Sequence, residues 1–186
     1  MVGPVAFVTS WAVLGATADG YDPTRTAISR LAAVGAPTRP AMTAGLVVLA
    51  GGMALYGAAL RPRAAWALAA ANGLTTLAVA LVPLGSGHDT AHGACAALGY
   101  VTLAAIPLVL SRSEAGPARR AIAVGAGVVA GACLLATTMV DRDGLLQRTG
   151  LTVAQAWVAV SALGLAAAPT SSSTPRPAPA PAPPRR

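Results

Sequence analysis

Two imidazoles four residues apart are the clearest chemical feature of this chain. His88 and His92, its only histidines, lie in the stretch PLGSGHDTAHGACAALGY that runs from Pro83 to Tyr100. A helix beginning near Ser86 would send both rings from one face, one turn apart, with Cys95 continuing the stripe. Asp89 would point elsewhere and is of a type that caps a first turn. The positive end of a helix dipole disfavours imidazolium, leaving the neutral ring that binds a metal or accepts a proton. Two ligands fall short of the three that a catalytic zinc takes from protein. Asp22 or Asp141 would therefore have to complete or orient the set, with Ser29 or a metal-bound water as the attacking group. The competing reading is plain: polar residues gather where a membrane span meets water.

The elements that must position these groups are set by composition. With 186 residues, 55% hydrophobic, 10% charged and a mean hydropathy of +0.63, the chain is too apolar for a soluble domain of this size. Six apolar runs, at about 4–18, 41–60, 64–84, 90–110, 121–140 and 151–168, predict an all-α integral membrane bundle of six transmembrane helices. The first is short for a span of about 20 residues. Its Ala16-Thr17-Ala18 has the form of a signal cleavage site, but no basic residue precedes it, so it reads as a span. Residues 169–186, with the run PAPAPAPP, read as a disordered Pro/Ala-rich tail.

The longest connection, Asp19 to Pro40, reads DGYDPTRTAISRLAAVGAPTRP. Asp22-Pro23 is a helix start and Gly35 with Pro37 a helix stop. Between them Ala27, Ile28, Leu31 and Ala32 share an apolar face. A short amphipathic helix at the membrane surface is expected, with Arg25, Ser29 and Arg30 toward water or a shared cavity. Small residues such as Gly45, Gly52, Gly127 and Gly131 predict close helix packing. Asn72, Thr75, Thr76 and Gln155 fall inside spans, where polar groups need partners on other helices. Cys95 and Cys133 read as small packing residues.

Charge orients the bundle. With six spans, the termini share a side with the second and fourth connections, where eight arginines face Glu114 alone. On the other side five arginines meet five aspartates. The positive-inside rule makes the first side cytoplasmic, with both termini there, in a plasma membrane. Basic residues at span ends are topology determinants and contacts for anionic lipid. No basic surface interleaved with aromatics suggests nucleic acid. Both histidines, Ser29, Gln147, Arg148 and five of the six acids then gather at the outer face.

GYDPTRTAISRLAAVGAP in the first connection, HDTAHG in the third and GLLQRTG before the last span together resemble the bacterial membrane family called domain of unknown function 998. That resemblance implies a six-helix membrane protein and no assigned activity. Three function classes stay open. One is an accessory, sensor or structural membrane protein whose outer loops are held by ion pairs, such as an aspartate of the last connection with Arg25 or Arg30. Another is a metal-dependent hydrolase of a lipid or lipid-linked substrate, built on His88, His92, Asp89, Ser29 and Asp22. In either case Arg25, Arg30, Asp141, Gln147 and Arg148 are the candidate binding residues. The third is a small transporter, for which Asn72 and Gln155 are the residues to suspect.

Overall fold

The structure, a computed structural model, describes residues 2–139 and 143–167. Asp141 and the Pro/Ala-rich stretch lie outside the described residues, which are helical and contain no strand. Helices α1 (Val2–Thr17), α2 (Arg39–Ala59), α3 (Arg63–Leu81), α4 (Asp89–Leu110), α5 (Pro117–Ala136) and α6 (Asp143–Ala167) follow one another. Each packs on the next in sequence, α1 closes against α6, and α4 also reaches α6. Five of the six are long and apolar enough to cross a membrane; α1 is apolar but shorter, at 16 residues.

The exterior explains why the composition is so apolar. Leu55, Leu74, Leu81, Val101 and Val160 are among many large aliphatic side chains left largely exposed around the bundle. A belt of that extent is stable against lipid tails and not against water. Between helices no hydrophobic effect operates in lipid, so close contact must hold them together. Gly3 and Gly52 show how: a Cβ on Gly52 would stand 2.8 Å from the Cα of Gly3, so α1 and α2 touch through bare backbone.

Three segments differ from the sequence reading, each for a local reason. The first connection forms only a five-residue 3-10 helix, Ile28–Ala32. Asp22 does not open an α-helix: its Oδ1 accepts from the Thr24 amide at 2.8 Å and the Thr24 hydroxyl at 2.7 Å, closing a local turn. Ala27, extended at φ −60° and ψ 146°, then breaks the path. Ile28, Leu31 and Ala32 are buried, and the 3-10 helix packs on α1, α2 and α6. The apolar face therefore rests on the bundle.

The histidine turn is the second. Gly85 (φ 77°) and Gly87 (φ 84°) hold left-handed backbone, which keeps the chain out of a helix until Asp89. His88 is thus the cap residue of α4, and the expected shared face for the two imidazoles does not form. The third difference is α6, which starts at Asp143, so Gln147 and Arg148 belong to its opening turns instead of to a connection. Apolar periodicity hides this start because those turns spend their side chains on polar partners, described next.

Candidate ligand cavity

The opening of α6 clasps the first connection. Gln147 and Arg148 are both buried, each 7% exposed. Gln147 Oε1 accepts from the Ile28 amide at 2.7 Å, and its Nε2 donates to the Tyr100 hydroxyl on α4. Arg148 Nη1 donates to the carbonyls of Pro23 (2.5 Å), Thr26 (2.9 Å) and Gly144 (2.9 Å), while Nη2 donates to the Tyr21 hydroxyl. Its Cζ lies 5.4 Å from the ring centroids of both Trp11 and Tyr21, so two aromatic faces stabilise the buried guanidinium. Burial holds the Tyr21 phenol above its usual range, although the Arg148 cation draws it down. A neutral phenol is what the geometry needs, because Tyr21 Oη is also placed to donate to the Thr26 and Ala27 carbonyls. The Leu145 amide, free at the start of α6, donates to Thr24 O at 2.9 Å.

A second tie joins the first connection to the histidine turn: the Val34 amide donates to Leu84 O at 2.9 Å. Asp89 Oδ1 accepts from the Gly85 amide at 2.7 Å, which braces the turn backward instead of capping forward. These bonds place the first connection, the histidine turn and the start of α6 at one end of the bundle.

Below that end lies a small cavity of about 70 Å³. Ile28 and Ser29 of the docked connection contribute to its wall, as do His92, Cys95 and Tyr100 of α4. His92 and Cys95, three residues apart on α4, both line it, whereas His88 does not. Asn72 and Gln155 line it as well. At 1.5 Å per residue they stand roughly 14 and 18 Å along α3 and α6 from the histidine end, near the middle of the bundle. Apolar side chains such as Phe7, Leu46 and Leu103 make up most of the rest.

Hydrogen bonding on this wall is incomplete. His92 is 3% exposed and its Nδ1 lies 2.7 Å from Val82 O. A carbonyl accepts, so Nδ1 carries the proton and Nε2 is left with a lone pair. That Nε2 is buried without a partner. Asn72 Nδ2 donates to Gly99 O at 2.8 Å, which fixes the amide and leaves Oδ1 buried and unpaired. Gln155 Oε1 is the third such atom on the wall. All three atoms are closed off from open space, and a buried polar group without a partner costs about 1–3 kcal/mol.

The remaining sequence candidates stand apart from this wall. His88 is exposed, with Nδ1 3.3 Å from Ser86 O. Asp22, Arg25 and Arg30 are exposed on the first connection, where Arg25 Nε lies 3.9 Å from Asp22 Oδ2. The Thr24 hydroxyl and amide hold the Asp22 carboxyl below the usual carboxylate range. This pair lies within the connection and does not tie it to the last one; Arg148 makes that tie through carbonyls and rings. Among the described residues no three His, Cys, Asp or Glu side chains come together as a metal-ligand set.

The sequence profile described as protein of unknown function, DUF998, matches residues 1–164. The chain belongs to the DUF998 family. No curated protein and no solved structure matches it. In this DUF998 protein the three stretches that carried the resemblance are physically joined. GLLQRTG grips GYDPTRTAIS through Gln147 and Arg148, and HDTAHG supplies His92 to the cavity beside them. Tyr21, Trp11 and Tyr100 are the partners that sequence reasoning missed. The available signal was the need of a buried arginine for aromatic faces, but nothing local ties Arg148 to a ring more than a hundred positions away.

Proposed function

We propose that this DUF998 protein is a membrane-embedded binding protein, acting as a sensor or accessory subunit, whose ligand enters the bundle from the histidine end. The observation that supports this reading is a small interhelical cavity lined by His92, Asn72 and Gln155, whose Nε2, Oδ1 and Oε1 are buried without a partner. Cavities between helices, apolar with a few convergent polar groups, are where small ligands bind. In this reading the histidine end faces out of the cell from a plasma membrane and both termini are cytoplasmic, an orientation that the arginine bias supports. Arg61, Arg63, Arg112, Arg119 and Arg120 then meet the anionic inner leaflet.

Cys95 is a native reporter, since it lines the cavity and Cys133 does not. In Cys133→Ala protein in sealed vesicles, a small membrane-impermeant methanethiosulfonate is expected to modify Cys95 from the histidine side. Reagent of the same kind trapped on the other side should leave it untouched. Modification only from the arginine-rich side, or none from either, would overturn entry from the histidine end.

A hydrolase is the second reading, favoured by one observation: Ser29 and His92 share the cavity wall. A zinc there would be held by His92 with ligands drawn from the outer connections. Metal analysis of purified protein should then find a stoichiometric ion that is lost in His92→Ala. Metal absent from both preparations would remove this reading.

A further inference from the structure

We propose that a groove on the lipid-facing exterior, at the arginine-rich end of the bundle, holds one acyl chain of an anionic phospholipid whose headgroup sits at Arg61 and Arg63. The groove lies at the opposite end from the His92 cavity, so its occupant is independent of what that cavity binds. It exists because α1 is short. α1 opens beside the middle of α2, where a Cβ on Gly3 would stand 3.0 Å from the Cα of Gly52. From Gly52, α2 runs seven more residues to Ala59, about 10 Å at 1.5 Å per residue. Over that depth Tyr56 reaches across from α2 to α6, its Oη 2.8 Å from Ser161 Oγ. A groove of about 530 Å³ opens there, roofed by Val2 and Gly3 and walled by Gly51, Leu55, Ala162 and Leu165.

The shape and chemistry of the groove select its occupant. Among the described residues no charged side chain lines it, and the Tyr56 hydroxyl is already bonded. Walls of this kind stay dry, and left empty they would lose their contacts on one side. Val48 and Ala59, the α2 lining residues furthest apart, are eleven residues or about 16 Å from each other, close to the roughly 15 Å of one hydrocarbon leaflet. A transmembrane helix of a second copy would be about twice that long, and α1 closes the space above Gly52. The stretch after Ala167 would enter only by burying peptide carbonyls in hydrocarbon. An acyl chain has the right length and no polar group to satisfy.

Charge fixes the head. Arg61 stands two residues past Ala59, at most about 7 Å of chain, and Arg63 opens α3. Both are exposed, and neither is in an ion pair among the described residues. A phosphate at the lip of the groove complements them.

The test uses full-length protein in phosphatidylcholine nanodiscs that contain a trace of phosphatidylglycerol with a diazirine in one acyl chain, or phosphatidylcholine labelled in the same way. Labelled peptides are mapped by mass spectrometry. The α5 surface around Ile122, exposed at the same end of the bundle, reports ordinary lipid contact. The α2 and α6 peptides that line the groove are expected to take at least about fivefold more of the phosphatidylglycerol label than α5 does. Unlabelled phosphatidylglycerol in the host bilayer should compete that excess away. Arg61→Gln with Arg63→Gln should abolish the preference for the anionic probe, since each arginine near an anionic headgroup is worth roughly fivefold. Gly51→Phe plugs the groove: a Cβ at Gly51 meets nothing within 4 Å, so thermal stability should hold while groove label falls to the α5 level. Gly51→Leu is the smaller plug if phenylalanine disturbs α2.

Groove label no higher than on α5, or unchanged by both plugs, would overturn the site. Equal labelling by the two probes would overturn the anionic head. A groove that takes no label, because a second copy or a terminal stretch of this chain fills it, would overturn the acyl chain.

Discussion

Arg148→Ala is expected to cost this protein about 3–5 kcal/mol and to free the first connection from the bundle. Arg148 donates to Pro23 O and Thr26 O, bonds Tyr21 Oη and lies against the rings of Trp11 and Tyr21. Hydrogen bonds from a charged donor are worth about 1.5–3 kcal/mol each, and the carbonyls left behind lose their partner. These losses overlap, since one docked loop supports all of them, so their simple sum overstates the effect. Arg148→Lys should recover only part: an ammonium is a point donor and cannot span both carbonyls and the phenol. Arg30→Ala is the control, because Arg30 is exposed, and should stay within about 0.5 kcal/mol.

Thermal unfolding in detergent gives the stability, and Cys95 reports the site. Ile28 and Ser29 ride on the connection that Arg148 holds, and both line the cavity. Lifting the connection should let bulky thiol reagents reach Cys95, where only small ones are expected to react in the parent protein. Equal stability losses in Arg148→Ala and Arg30→Ala would show that the clasp contributes nothing.

The contrast between Arg148 and the histidines shows what can be read from a linear chain. Apolar runs marked the six helices because burial in lipid imposes one composition on every spanning residue. The shared face for His88 and His92 depended on a helix that Gly85 and Gly87 do not allow, and a glycine's φ is free until the fold selects it. Gln147 and Arg148 looked like loop residues because hydropathy scores side chains by type, not by partner. Their polarity is matched by partners from the far end of the chain, the Ile28 amide for Gln147 and the Pro23 and Thr26 carbonyls for Arg148. Asn72 and Gln155 stood out as polar groups inside spans, but their sharing of a wall with His92 is a tertiary fact carried by no local spacing.

Gly144→Ala should destabilise, against the ordinary preference of helices. Inside a helix alanine is favoured over glycine by about 1 kcal/mol. Gly164, on the same helix, has open space where a Cβ would go, so Gly164→Ala should be neutral or stabilising by up to that amount. At Gly144 the same methyl would stand 2.7 Å from Thr26 O, 2.8 Å from Pro23 O and 2.8 Å from Thr26 N. All three are backbone atoms, so no rotamer change relieves the overlap and the connection must rise from α6. Rising stretches the Leu145 amide's bond to Thr24 O and the Arg148 bonds together. A net loss of about 2–3 kcal/mol is expected, from hydrogen bonds of this kind minus the helix gain. Because Gly144→Ala and Arg148→Ala lift one loop, the double variant should fall short of the two losses added, by about 1 kcal/mol or more. Stabilisation by alanine at position 144 as at 164 would mean that the first connection does not sit on α6, and the wall that Ile28 and Ser29 lend the cavity would go with it.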